Sequence, residues 1–150
     1  MHITSLHPMS RVSALLRLPF SLSTISAGFP SPAEPYLDRP LDLNELLITH
    51  PAATFFVRVQ GDSMHNAGIC DGDILIVNRA QTAKSGDIVV ALLFGEFTVK
   101  RWLRTPKMQK LMAENSNYPD ILIKEESDFT IWGVVTHAIH MLKKEHVCAY

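Results

Sequence analysis

From Thr54 onward the chain is a succession of short β-rich runs separated by turn signals, and this pattern constrains the fold more than any other feature. Phe55-Phe56-Val57-Arg58-Val59 runs to Gly61, and Ile74-Leu75-Ile76-Val77 follows the Asp71-Gly72-Asp73 turn. Lys84-Ser85-Gly86-Asp87 turns into Ile88 to Phe94, and Phe94-Gly95-Glu96 reverses the chain into Phe97 to Leu103 as a hairpin. Leu111-Met112, Ile121-Leu122-Ile123 and Ile131 to Ile139 continue the series. Short strands at this spacing predict a mostly β, barrel-like domain.

The first forty residues read differently. Six of the nine prolines, Pro8, Pro19, Pro30, Pro32, Pro35 and Pro40, fall there, and Ser and Thr are dense from Ser21 to Ser31. Proline removes backbone donors and fixes φ, so residues 1–40 are expected to form an extended N-terminal arm. A short helix within Ser10 to Leu18 is the one local alternative. Residues 41–150 are expected to form the β domain. Leu41 to Ile48 reads as a short helix, with Asp42 as N-cap, Glu45 three residues on, and leucines packed on the domain behind it.

Hydrophobic residues make up 47% of the chain, charged residues 19%, and the net charge is −1, so no basic stripe points to direct, sequence-specific DNA binding. Two cysteines, Cys70 and Cys148, are too few for a disulfide framework and fit a reducing, cytoplasmic setting. No run of about 18 apolar residues exists to span a membrane. The apolar patch Val12 to Phe20 resembles a secretory signal in part, but Arg17 interrupts it and Pro19 lies near its end.

Three features carry chemistry. Gly61-Asp62-Ser63-Met64 ends a strand with a glycine and then offers a hydroxyl. Such a turn can expose a nucleophile and aim the backbone N–H groups of Ser63 and Met64 at one point as an oxyanion hole. A serine after a glycine is also a common turn residue. Lys100 lies in Glu96-Phe97-Thr98-Val99-Lys100-Arg101-Trp102, where strand alternation puts it on one face with Thr98 and Trp102. It is open to two readings, a solvated edge-strand lysine or a buried general base. With an ordinary pKa of about 10.4, only about one lysine in 2,500 is neutral at pH 7. A dry pocket can lower that pKa by about 3–5 units, which makes a base able to take a serine proton. The third feature is Ala27-Gly28, a sterically open bond in a tethered arm, where attack is effectively unimolecular.

Other groups are read as structural. Asp71, Asp73 and Asp87 sit beside glycines or in turns as turn formers. Asp62 either caps the nucleophile turn or orients it. His137, His140, His146 and Cys148 crowd the C-terminus, but their spacing matches no standard metal site, so neither a metal nor another cofactor is expected.

Taken together, Ala27-Gly28-Phe29-Pro30-Ser31-Pro32-Ala33, Leu41-Asp42-Leu43-Asn44, His50-Pro51-Ala52-Ala53-Thr54, Gly61-Asp62-Ser63-Met64, Gly72-Asp73, Gly95-Glu96-Phe97-Thr98-Val99-Lys100-Arg101 and Gly133-Val134-Val135-Thr136 resemble the LexA/UmuD family of self-cleaving Ser–Lys peptidases, and within it the UmuD-like branch with its plasmid-borne relatives. The resemblance runs from about residue 25 to 140. It implies a β fold of the LexA and signal-peptidase type, Ser63 as nucleophile, Lys100 as general base and Ala27-Gly28 as the scissile bond. It further implies a homodimer, cleavage stimulated by the RecA filament on single-stranded DNA, and a trimmed product that joins a Y-family, UmuC-like polymerase for error-prone synthesis in the SOS response. Where the UmuD branch has a cysteine before the scissile bond this chain has Ala27, as in the LexA branch, and His65 and Asn66 replace the usual small or acidic residues. The rival readings are a dimeric binding protein with an idle Ser–Lys pair, a truncated LexA-like repressor, and a signal-peptidase relative. The second lacks room for a DNA-reading module in the 27 residues before the bond, and the third lacks a membrane anchor.

Overall fold

The computed structural model describes residues 1–8, 17–21 and 37–142. In chain order its strands are β1 (His2–Pro8), β2 (Arg17–Ser21), β3 (Leu37–Asp42), β4 (Thr54–Gln60), β5 (Ile74–Asn78), β6 (Ile88–Leu93), β7 (Glu96–Arg104), β8 (Gln109–Met112), β9 (Ile121–Ile123) and β10 (Phe129–Ile139), with the helix α1 (Leu43–Leu47). They form two units, Met1–Met9 with His50–Tyr150, and Ser10–Thr49.

In the smaller unit β2 and β3 pair antiparallel from Arg17↔Asp42 to Ser21↔Leu37. The chain then enters α1, and the Asp42 carboxylate accepts from the Asn44 backbone N–H at 2.8 Å. That is the cap expected from sequence, since a short acceptor side chain can satisfy an orphan donor of the first turn. The expected burial of the helix leucines fails for Leu43 and Leu46, which are exposed. Arg17 and Leu18 are strand, not helix, and the rest of the alternative helix at Ser10 to Leu18 lies outside the described residues.

The larger unit is the expected mostly β domain. One sheet runs in the order β1-β4-β5-β10-β6-β7-β8-β9, and β1 also pairs with β7. That second pairing closes β1, β4, β5, β10, β6 and β7 into a six-stranded barrel, with β8 and β9 extending from β7. Alternation along the strands explains the closure. Val57 and Val59, Leu75 and Val77, Val90 and Val99 point to one interior cluster with Met64. Val89, Ala91, Trp102, Leu111 and Ile123 face the other way into a second cluster against β8 and β9.

The strands missed by the sequence reading are β1, β2 and β3, all within or at the end of the expected arm. The first eight residues of the expected arm lie in the barrel wall, antiparallel to β4 from His2↔Gln60 to Pro8↔Phe55. Two backbone details shape the rest of the wall. The β6–β7 hairpin turns on Phe94 and Gly95, both at positive φ (49° and 81°), the conformation of a two-residue type I′ turn. At the bulge near Gly133, β10 passes from β6 to β5, and a Cβ on Gly133 would lie 2.7 Å from Val77 Cγ1.

Candidate active site

The loop after β4 is built to hold Ser63 still. Gly61 takes φ 98°, and its N–H donates to Asp71 Oδ1 at 2.7 Å. The chain then curls through a short 3-10 turn: His65 N–H donates to Asp62 O, Ala67 N–H to Met64 O, and Gly68 ends the turn at φ 77°. Met64 is fully buried in the barrel cluster, so it pins the loop from below. Ser63 is 0% exposed. The backbone N–H groups of Ser63 and Met64 donate to no other backbone group among the described residues.

Lys100 reaches the serine from the middle of β7, opposite Val89 and on the face that carries Trp102. It is 5% exposed, and its Nζ donates to Ser63 Oγ at 2.7 Å. Thirty-seven residues of sequence thus close into one hydrogen bond. Burial pushes the Lys100 ammonium below its ordinary pKa, because a cation in an apolar wall loses hydration. Its hydrogen bond with the Met1 amine acts in the opposite direction.

A second amine shares the Ser63 hydroxyl. The α-amine of Met1 donates to Ser63 Oγ at 2.7 Å, and the Met1 side chain joins the barrel cluster. The pairing of β1 brings it there, since His2 lies opposite both Gln60 of β4 and Thr98 of β7. Desolvation, then the Lys100 charge and hydrogen bond, lower the Met1 amine to about 6, while the charge of Asp62 opposes the shift.

The polar turn after β8 braces the other side. Tyr118 Oη donates to Asp62 Oδ1 at 2.5 Å, and Asn115 Nδ2 donates to the Asp62 carbonyl at 3.1 Å. Asp62 therefore ties the Ser63 loop to this turn, and the 3-10 turn has no side-chain cap. The Tyr118 hydrogen bond holds the Asp62 carboxyl below the usual carboxylate range. Lys100 Nζ also stands 5.8 Å from the centre of the Tyr118 ring, within cation–π reach. Asn66 N–H donates to Glu114 O, and Glu114 pairs with Arg101 beside Lys100.

The structure thus brings Ser63, Met64 and Lys100 together and adds Met1, Asn115 and Tyr118, which sequence reasoning did not find. Asn115-Ser116-Asn117-Tyr118 looks like any polar turn, and nothing local marks it as a partner of Asp62. Ala27, Gly28, His146 and Cys148 lie outside the described residues. The His137 ring meets its neighbour Thr136, whereas His140 pairs with Asp73. Among the described residues no helix is long and apolar enough to cross a membrane.

The chain matches the family described as Peptidase S24-like over residues 19–136. It is similar to Protein MucA of Salmonella typhimurium, 47% identical over 131 residues that cover 87% of this chain and 89% of that protein. Protein ImpA of Shigella flexneri is 44% identical over 126 residues, covering 84% and 86%. The LexA repressor of Delftia acidovorans is 39% identical over 133 residues, covering 88% of this chain and 58% of the repressor.

Proposed function

The chain belongs to the Peptidase S24-like family, and from that premise we propose that it is a serine endopeptidase that cuts its own Ala27-Gly28 bond, with Ser63 as nucleophile and Lys100 as general base. The observation that carries this reading is the buried 2.7 Å contact between Lys100 Nζ and Ser63 Oγ. A lysine held dry beside a hydroxyl is a base in waiting, and solvated strand lysines have no such partner.

The reaction begins when Lys100 loses its proton. Neutral Nζ takes the proton of Ser63, and Oγ bonds to the carbonyl carbon of Ala27. The backbone N–H groups of Ser63 and Met64 hold the resulting oxyanion. Lys100, now an ammonium, gives its proton to the Gly28 nitrogen as the C–N bond breaks. Water then hydrolyses the acyl group from Ser63. The Met1 amine stands against Oγ much as the freed Gly28 amine would just after scission. The scissile bond therefore enters when β1 moves off the serine.

The family resemblance extends the proposal. Cleavage is a switch triggered by the RecA filament on single-stranded DNA, and the trimmed product, residues 28–150, acts as a homodimer with a Y-family, UmuC-like polymerase in SOS mutagenesis. The test is direct. Purified chain is incubated at alkaline pH, or at neutral pH with RecA filaments, and the products are read by mass and N-terminal sequencing. The expected product begins at Gly28 and is absent from Ser63→Ala. A wild-type chain that stays whole under both conditions, or a Ser63→Ala chain that still cuts, sinks the reading.

A further inference from the structure

The nucleophile loop carries a second constellation that the peptidase chemistry does not use. Cys70, Asp73 and His140 bring a thiol, a carboxylate and an imidazole together, with one donor atom from each within 4.8 Å of the others. Two sequence-distant elements supply them. Cys70 and Asp73 flank the Asp71-Gly72 turn just before β5, and His140 directly follows β10, which pairs with β5 as far as Ile139↔Ile74.

We propose that Cys70, Asp73 and His140 form a binding site for a borderline-soft divalent transition metal of the zinc type. The donor set suits such an ion, since thiolate, imidazole and carboxylate are the three side-chain ligands zinc accepts. Cys70 and Asp73 are separated by two residues, the spacing common between paired ligands of zinc sites. Tetrahedral coordination sets the ligand atoms about 3.3–3.6 Å apart, so the cluster closes on an ion by rotations that move atoms about an ångström.

The surroundings fit the role. Asp73 is buried, and its Oδ2 accepts from the Cys70 backbone N–H at 2.8 Å. This fixes the carboxylate and leaves Oδ1 aimed at His140, whose Nδ1 lies 2.7 Å away. An outer hydrogen bond that orients a ligand is a regular part of metal sites. Cys70 and His140 are both partly exposed, which gives an ion its way in. The His65 ring borders the cluster on one side, with Nδ1 4.0 Å from Cys70 Sγ. An ion held here ties the loop from His65 to Asp73 onto the end of β10, a few residues from Ser63. The sequence reading placed Asp73 as a turn former and did not connect it with Cys70, because His140 joins them only through the sheet.

The experiment uses the full chain, free of affinity tags, with Cys148→Ser so that Cys70 is the only thiol. Cobalt(II) is titrated in as the spectroscopic probe and then displaced by zinc. The expected result is one equivalent bound, with a thiolate-to-cobalt charge-transfer band in the near ultraviolet and the visible bands of a tetrahedral ion. Zinc should also raise the unfolding temperature. Adding His140→Ala, a surface change that leaves the fold intact by circular dichroism, should weaken binding by about tenfold or more. A chain that gives no charge-transfer band, or a His140→Ala variant that binds as tightly as its parent, overturns the site and leaves Asp73–His140 as a plain ion pair.

Discussion

As the proposed base, Lys100 must be neutral before it can take the serine proton. Burial lowers its pKa from the ordinary 10.5, so the neutral base accumulates at lower pH than for a solvated lysine. Self-cleavage followed against pH should therefore rise as the solution passes through the lowered value, with the midpoint below 10.5. The effect on stability has the same sign. The unfolded chain binds more protons than the folded one between the lowered value and 10.5, so stability increases with pH across that window. Lys100→Met should then cut about 10²–10⁴-fold more slowly, the usual size of a general-base contribution. The same variant should unfold at a higher temperature near neutral pH, because it no longer buries a cation. A variant that lost activity and stability together would make Lys100 a structural residue. Tyr118→Phe gives a separate readout at Asp62. Loss of the phenol hydrogen bond should move the Asp62 carboxyl titration, followed by NMR, upward toward the ordinary range. Ser63 and Lys100 were legible as candidates only together, since each alone had a bland reading and their joint spacing with the resemblance singled them out. Met1 and Tyr118 were not, because each acquires meaning only from a partner 62 or 56 residues away.

At the scale of elements, the strands after Thr54 were readable because each carries its own alternation and its own turn residue, as Val57 and Val59 before Gly61 show. The strand β1 carries neither signal. Its interior-facing apolar residues are only Ile3 and Leu6, set among His, Thr and Ser, and its conformation comes from the open edges of β4 and β7. Tertiary context decides the matter there, as it commonly does for β-structure. Two turns allow quantitative tests. Phe94 holds a left-handed φ of 49° while its side chain is exposed, so little packing offsets the backbone cost. Phe94→Asn should stabilise the domain by roughly 1 kcal/mol in denaturant unfolding, since asparagine tolerates that region. Gly133→Ala should act in the other direction, by about 1–3 kcal/mol, because its methyl group would enter the space of Val77 Cγ1.

At the scale of the whole molecule, the proposed cut has a consequence for the barrel itself. The bond lies between Ala27 and Gly28, so scission separates β1 from every other strand of the barrel. That strand contributes Met1, Ile3 and Leu6 to the interior cluster and closes the wall between β4 and β7. After the proposed cleavage no covalent link would join the β1 segment to the barrel, and its own hydrogen bonds and buried side chains, with the β2–β3 pairing, would hold it. Its departure would leave the β1-facing N–H and C=O groups of β4 unpaired, since the other edge stays paired with β5, and an open edge is a template on which another strand assembles. Under the proposed cut, the protease step would uncover a pairing edge that the intact chain keeps filled. Hydrogen exchange tests this on the chain from Gly28 to Tyr150 expressed directly. Amides of Thr54–Gln60 that face β1 should exchange faster than in the intact Ser63→Ala chain, while those of Ile88–Leu93, deep in the sheet, should keep their protection. A synthetic peptide of residues 1–8 added in excess should slow the β4 amides again. Unchanged β4 protection in the trimmed chain would mean that the wall closes without β1, and the cut would then act through the arm alone.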